Sequence, residues 1–241
     1  MSLANGWWYG LALDLLPKAT FMIDQPRFEL FAFWRTSATF RVRVALNLKG
    51  LTAHEHFVNV DAGEQRDPAF LKINPLGGVP ALVLPGHPPL TQSIAILEYF
   101  EEIAPTPPLL PGDPLGRARV RSIAAMLATD THPLVTPRVK RYLTGAGFDD
   151  AAWRAWQIHW FSTGLQAVEL RLATEADTGA FCHGDAITLA DICLVSITAM
   201  LKVFKITVAG IPVIDGIVSR CEREPAFAKA DPFKQVGAPQ T

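Results

Sequence analysis

Three hydroxyl side chains, Thr36, Ser37 and Thr39, crowd into four positions of "WRTSATFRVRVAL" (34–46). They stand where an alternating, Phe-rich segment hands over to an apolar stripe of helical period. A Thr or Ser at a helix start caps free main-chain N–H groups. Hydroxyls, those N–H groups and the helix dipole together favour an anion. "LTQSIAILEYFEE" (90–102) repeats the device: Gln92-Ser93 opens a strongly patterned helix, placed either to cap it or to hold a carboxylate. Between the two, "NPLGGVPALVL" (74–84) carries Val79-Pro80 at a strand entrance. Proline there lacks an N–H, and an X-Pro bond adopts cis at small cost. A cis bond turns the N–H and C=O of Val79 outward, towards an extended peptide ligand; a trans proline at a sheet edge is the commoner alternative.

These groups need a scaffold, and the chain is long enough to supply one. Its 241 residues are 49% hydrophobic and 19% charged, room for two compact units. A net charge of −1 argues against broad electrostatic binding to nucleic acid or to an anionic membrane surface. Cys182, Cys193 and Cys221 form an odd set without metal-ligand spacing, so they read as buried thiols in a reducing, cytoplasmic compartment. No metal site is expected. Residues 1–25 read as an extension without catalytic duty. Its apolar stretch "GWWYGLALDLL" is too short to span a bilayer and contains Asp14. No Lys or Arg precedes Lys18, as a secretory leader would require.

From residue 26 the pattern is regular. Strands are expected at 27–33, 55–60, 79–84 and 88–92, and helices at 38–49, 68–74 and from Ser93. Phe40, Val44 and Leu48 mark the buried stripe of the first helix, and Gly50 stops it. The order is βαβ followed by αββα, a small α/β unit over 26–104. Five prolines in "APTPPLLPGDP" mark a stiff linker at 105–114. Beyond it only helices are expected, at 115–143, 152–173, 188–204 and 211–223, with Pro133 and Pro137 kinking or breaking the first. The fold class is therefore α/β followed by all-α, with an all-helical unit over 115–235. "ITLADICL" (187–194) is a capping box of Thr188 and Asp191, and its role is structural.

"RTSATFRVRVAL", "NPLGGVPAL", "TQSIAILEYFEE", "LLPGDP", "HPLVTPRV" and "FCHGDAITLADICL" together resemble the zeta class of glutathione transferases, which includes the maleylacetoacetate and maleylpyruvate isomerases. The resemblance spans about residues 28 to 235. It implies a thioredoxin-like domain followed by a helical domain, glutathione as cofactor, a small dicarboxylate substrate and a homodimer. By the same resemblance, glutathione pairs its cysteinyl backbone with Val79 before Pro80, and seats its γ-glutamyl carboxylate on Gln92 and Ser93. Gln65 and His132 are further contacts to it.

Thr36 and Ser37 fall where the family places the hydroxyls that hold the sulfur. A free thiol has a pKa of about 8.5, so a hydroxyl and helix N–H groups must favour the thiolate if it is to react at neutral pH. Arg35 and Arg138 are the candidate anchors for substrate carboxylates. Two departures stand out: Ala38 replaces a family cysteine, and Val203 replaces a family arginine, where the alternatives are that Lys202 substitutes or that one carboxylate is held differently. The chemistry implied is cis–trans isomerisation through transient thiolate addition to an activated C=C. The alternatives are conjugation or dehalogenation of small electrophiles by a general transferase, and a non-catalytic interaction module on the same fold.

Overall fold

The computed structural model describes residues 28–240; the N-terminal extension at 1–25 lies outside them. Four strands form one sheet in the order β2-β1-β3-β4. β1 (Phe28–Ala32) runs parallel to β2 (Ala53–Phe57), with Phe28 opposite Ala53. It runs antiparallel to β3 (Ala81–Val83), which pairs antiparallel with β4 (Leu90–Thr91). The parallel pair is joined through α1 (Ser37–Lys49), the crossover that a parallel connection requires. α2 (Pro68–Leu71) and α3 (Ser93–Ile103) complete a thioredoxin-like unit.

Local chemistry explains how α1 starts and stops. Thr36 is its N-cap, with φ −73° and ψ 130°, and its Oγ1 accepts a long bond of 3.4 Å from the N–H of Thr39. Gly50 ends the helix at φ 64°, and the Leu51 N–H reaches back to the Leu46 carbonyl at 2.9 Å. That is the left-handed stop glycine permits without a Cβ penalty. Buried Phe40, Val44 and Ala45 lie in one core with Leu97 and Phe100 of α3, and α1 also packs on the later helix Leu189–Phe204.

The Pro-rich stretch has no regular structure, but it is tied down. Lys49 Nζ donates to Glu101 and to the Pro107 carbonyl, both at 2.6 Å, and Glu101 accepts the Leu109 N–H. Leu109 and Leu110 are buried. Helices follow: α4 (Pro114–Ala125), α5 (Pro137–Gly145), α6 (Asp150–Thr174), α7 (Leu189–Phe204), α8 (Pro212–Arg223) and α9 (Pro225–Ala230). The Thr188–Asp191 capping box opens α7, with the Thr188 N–H on the Asp191 carboxylate at 2.8 Å. All three cysteines are free and buried.

Several expected boundaries shift. The helix expected at 115–143 breaks at Pro133 and Pro137 as expected, into α4, a π-helical turn at Met126–Thr131, a 3-10 turn at His132–Val135, and α5. Pro133 and Pro137 carry no N–H, so the α-ladder cannot run through them. The π turn packs on α6, where Gly164 lies so close to Thr131 that a Cβ would collide with it. The strand expected at 55–60 is Ala53–Phe57, and the helix at 68–74 stops at Leu71. α9 is an addition that the hydrophobic period did not reveal.

Candidate active site

Two adjoining cavities open between the sheet domain and the helical turn at 126–135. The first, of about 280 Å³, is reached by the N-termini of α1 and α3, the loop before β3, and α5. The second, of about 540 Å³, lies between the end of β1, α5, α6 and α7. Thr36 and His132 line both.

The first cavity collects most of the residues singled out by sequence. Thr36 lines it, its hydroxyl donating to Thr39 Oγ1 at 2.6 Å. Val79 and Pro80 form one wall, joined by a cis peptide bond. No hydrogen bond occupies the Val79 N–H or C=O among the described residues. Asn74 shapes this loop: its Nδ2 donates to the Gly78 carbonyl at 2.7 Å and its Oδ1 accepts the Leu76 N–H at 3.1 Å. Gln92 precedes α3 at φ 70°, a left-handed conformation that costs a non-glycine residue about 1–3 kcal/mol and tends to gather at functional sites. Ser93 opens α3 and is 5% exposed. Gln65, 6% exposed, presents a buried Oε1 that has no hydrogen-bond partner. Such an orphaned acceptor costs about 1–3 kcal/mol unless a ligand supplies a donor.

Ser37 is placed differently from Thr36. Its hydroxyl turns away from both cavities into a buried cluster, donating to Ser196 Oγ of α7 at 2.8 Å and accepting from Arg41 at 2.9 Å. Arg41 itself escaped the sequence reading. It lies one helical turn beyond Ser37, is 2% exposed, and forms part of the floor of the first cavity. An arginine inside an otherwise apolar stripe was the signal that could have found it.

His132 is half-buried, with its pKa pushed down to about 3, first by burial and then by the nearby charges of Arg41 and Arg138. It is therefore a neutral imidazole at physiological pH. Arg138 is exposed and lines the first cavity; Arg141, one turn along α5, lines both. Arg35 lines only the second, in an ion pair with Asp61, its guanidinium 5.4 Å from the Phe33 ring centre. Lys202 does not stand in for the arginine missing at 203. It pairs with Glu222 on another face and lines neither cavity.

The donors and acceptors present match glutathione: free N–H groups at two helix starts, a buried cation, an orphaned acceptor for an ammonium, and an unpaired main-chain edge at Val79. Residues 26–102 match the model of the glutathione S-transferase N-terminal domain. Maleylacetoacetate isomerase of Pseudomonas aeruginosa is 39% identical over 213 residues, 88% of this chain and 99% of that protein. A solved maleylacetoacetate isomerase of Methylobacterium extorquens AM1, with bound malonate and glutathione, is 46% identical with a TM-score of 0.86, covering 88% of this chain and all of that one. A holo maleylpyruvate isomerase, described as a bacterial zeta-class glutathione S-transferase, is 38% identical with a TM-score of 0.84 over the same shares.

Proposed function

This chain belongs to the glutathione S-transferase family, in the zeta class of maleylacetoacetate and maleylpyruvate isomerases, and from that membership we propose that it isomerises a small cis-unsaturated dicarboxylate with glutathione as cofactor. Residues 26–104 hold the cofactor and 115–235 supply the substrate wall, joined by 105–114. The observation that carries the reading is the first cavity, where two helix N-termini converge with a buried cation and a partnerless Gln65 oxygen.

Glutathione, when bound, would supply a thiolate for addition to one carbon of an activated C=C, the π pair passing to the conjugated carbonyl so that the bond can rotate and returning as the thiolate leaves. The chain's own residues position and polarise. Thr36 turns its hydroxyl from Thr39 to donate a hydrogen bond to the sulfur, aided by the α1 N-terminus. Val79 pairs through its main chain, Ser93 and the main chain after Gln92 receive a carboxylate, and Gln65 Oε1 receives an ammonium proton. Ser37 acts behind this surface, through Arg41. Neutral His132 donates or accepts one hydrogen bond without changing charge. Arg138 anchors a substrate carboxylate from the first cavity and Arg35 from the second. Bound malonate, a dicarboxylate, in the Methylobacterium relative supports the substrate class. Family membership supports a homodimer, and three buried free thiols are in keeping with a reducing cytoplasm.

The test is a glutathione-dependent assay of maleylacetone isomerisation beside chlorodinitrobenzene conjugation. Fast isomerisation with slow conjugation is expected. The reverse would make the chain a general transferase, and silence in both would reject catalysis.

A further inference from the structure

Arg41 is among the largest side chains of the protein that are fully buried, and it has no carboxylate partner among the described residues. Among the described residues its guanidinium donates only to three serines: Nε to Ser196 at 3.0 Å, Nη1 to Ser93 at 2.9 Å and Nη2 to Ser37 at 2.9 Å. A guanidinium has five N–H donors, so among the described residues one on each Nη is left without a partner. Burial disfavours an uncompensated charge, pulling the Arg41 pKa below its ordinary value, and hydroxyl dipoles offset only part of that. The charge sits on the floor of the first cavity, between the starts of α1 and α3.

The surrounding titratable groups leave it uncompensated. Cys193 of α7 is held as a thiol, its pKa raised to about 11 by burial. His132 is neutral, and the other charged residues lining the cavity are the cations Arg66, Arg138 and Arg141. The hydroxyls are also committed. Ser196 passes its proton to the Cys193 carbonyl at 2.7 Å and Ser37 passes its own to Ser196. Ser93, accepting from Arg41, keeps its proton for a partner in the cavity.

We propose that Arg41 is a positioning residue that supplies the standing countercharge of the cofactor site: it orients Ser93 to donate and favours the ionised sulfur in front of α1. This rests on the glutathione reading above. It predicts that the thiol pKa of bound glutathione is lowered in part through a residue whose hydrogen bonds, among the described residues of the free protein, run to three serines.

The experiment is an ultraviolet titration of the thiolate of bound glutathione across pH. Three proteins are compared: the natural chain, Arg41→Lys and Arg41→Met, the last removing the cation while Ser196 keeps its bonds to Ser37 and to the Cys193 carbonyl. Arg41→Met is expected to raise the bound thiol pKa by one unit or more, about a tenfold lower ratio of thiolate to thiol. Arg41→Lys is expected to hold most of the natural shift. A folded Arg41→Met protein that binds glutathione with an unchanged thiol pKa would overturn the proposal, as would Arg41→Lys behaving like Arg41→Met. If Arg41→Met does not fold, Arg41→Gln, which keeps N–H donors without the charge, takes its place: a raised bound thiol pKa upholds the proposal and an unchanged one overturns it. Absence of glutathione binding by the natural chain would instead remove the functional reading itself.

Discussion

Thr36→Val and Ser37→Ala remove one hydroxyl each from neighbouring residues, yet they should fail in different ways. Thr36 lines both cavities, and its cap bond to the Thr39 N–H is long at 3.4 Å. Valine keeps the β-branched shape but removes the cap and the partner of the buried Thr39 hydroxyl, so the stability loss should be about 1 kcal/mol, the usual worth of a cap, or a little more. The catalytic loss should be larger. Removing one donor from a sulfur anion in a partly desolvated cavity is expected to cost tenfold to a hundredfold in kcat/KM, about 1.4–2.7 kcal/mol. Ser37 is 1% exposed and bonded to Ser196 and Arg41. Its loss leaves buried partners unsatisfied at about 1–3 kcal/mol, and each kcal/mol lowers Tm by about 2–4 °C in a chain of this size. Maleylacetone isomerisation against pH, run beside thermal unfolding, separates the two. Thr36→Val with kcat/KM within twofold of the natural chain would refute the assignment. So would Ser37→Ala that loses activity at unchanged Tm.

Gln65→Leu should stabilise the free protein by about 1 kcal/mol, because an orphaned acceptor disappears, while weakening glutathione binding about tenfold; calorimetric titration and unfolding measure both. His132 resists protonation when folded, with a pKa near 3 against 6.5 unfolded. Its contribution is therefore whole above pH 6.5 and is lost as pH falls towards 3, at about 1.4 kcal/mol per unit. Urea unfolding at pH 5 should show a loss of about 2 kcal/mol that His132→Asn removes. Arg138→Ala should raise KM for dicarboxylates well above its effect on neutral electrophiles, and equal effects on both would reject the anchor role.

The order of elements was legible because period and punctuation agree locally. Gly50 stops α1, Thr188 and Asp191 open α7, and the proline run separates the sheet from the helices. Val79-Pro80, Gln92-Ser93 and Thr36 were legible as a set because each lies at the mouth of an element, where main-chain groups are free. The split between Thr36 and Ser37 was not. Which hydroxyl faces the cavity depends on the contact of α1 with α7, 159 residues away at Ser196. Arg41 was hidden for the same reason: its partners Ser93 and Ser196 stand 52 and 155 residues further along the chain. The placement of Lys202 likewise depends on α8, whose Glu222 holds it.

A crystal structure of the chain soaked with glutathione tests the central claim most directly. The sulfur should lie within hydrogen-bonding distance of Thr36 Oγ1 at the start of α1, with the γ-glutamyl carboxylate on Ser93. A sulfur directed away from α1, or an empty cavity at saturating glutathione, would contradict the account.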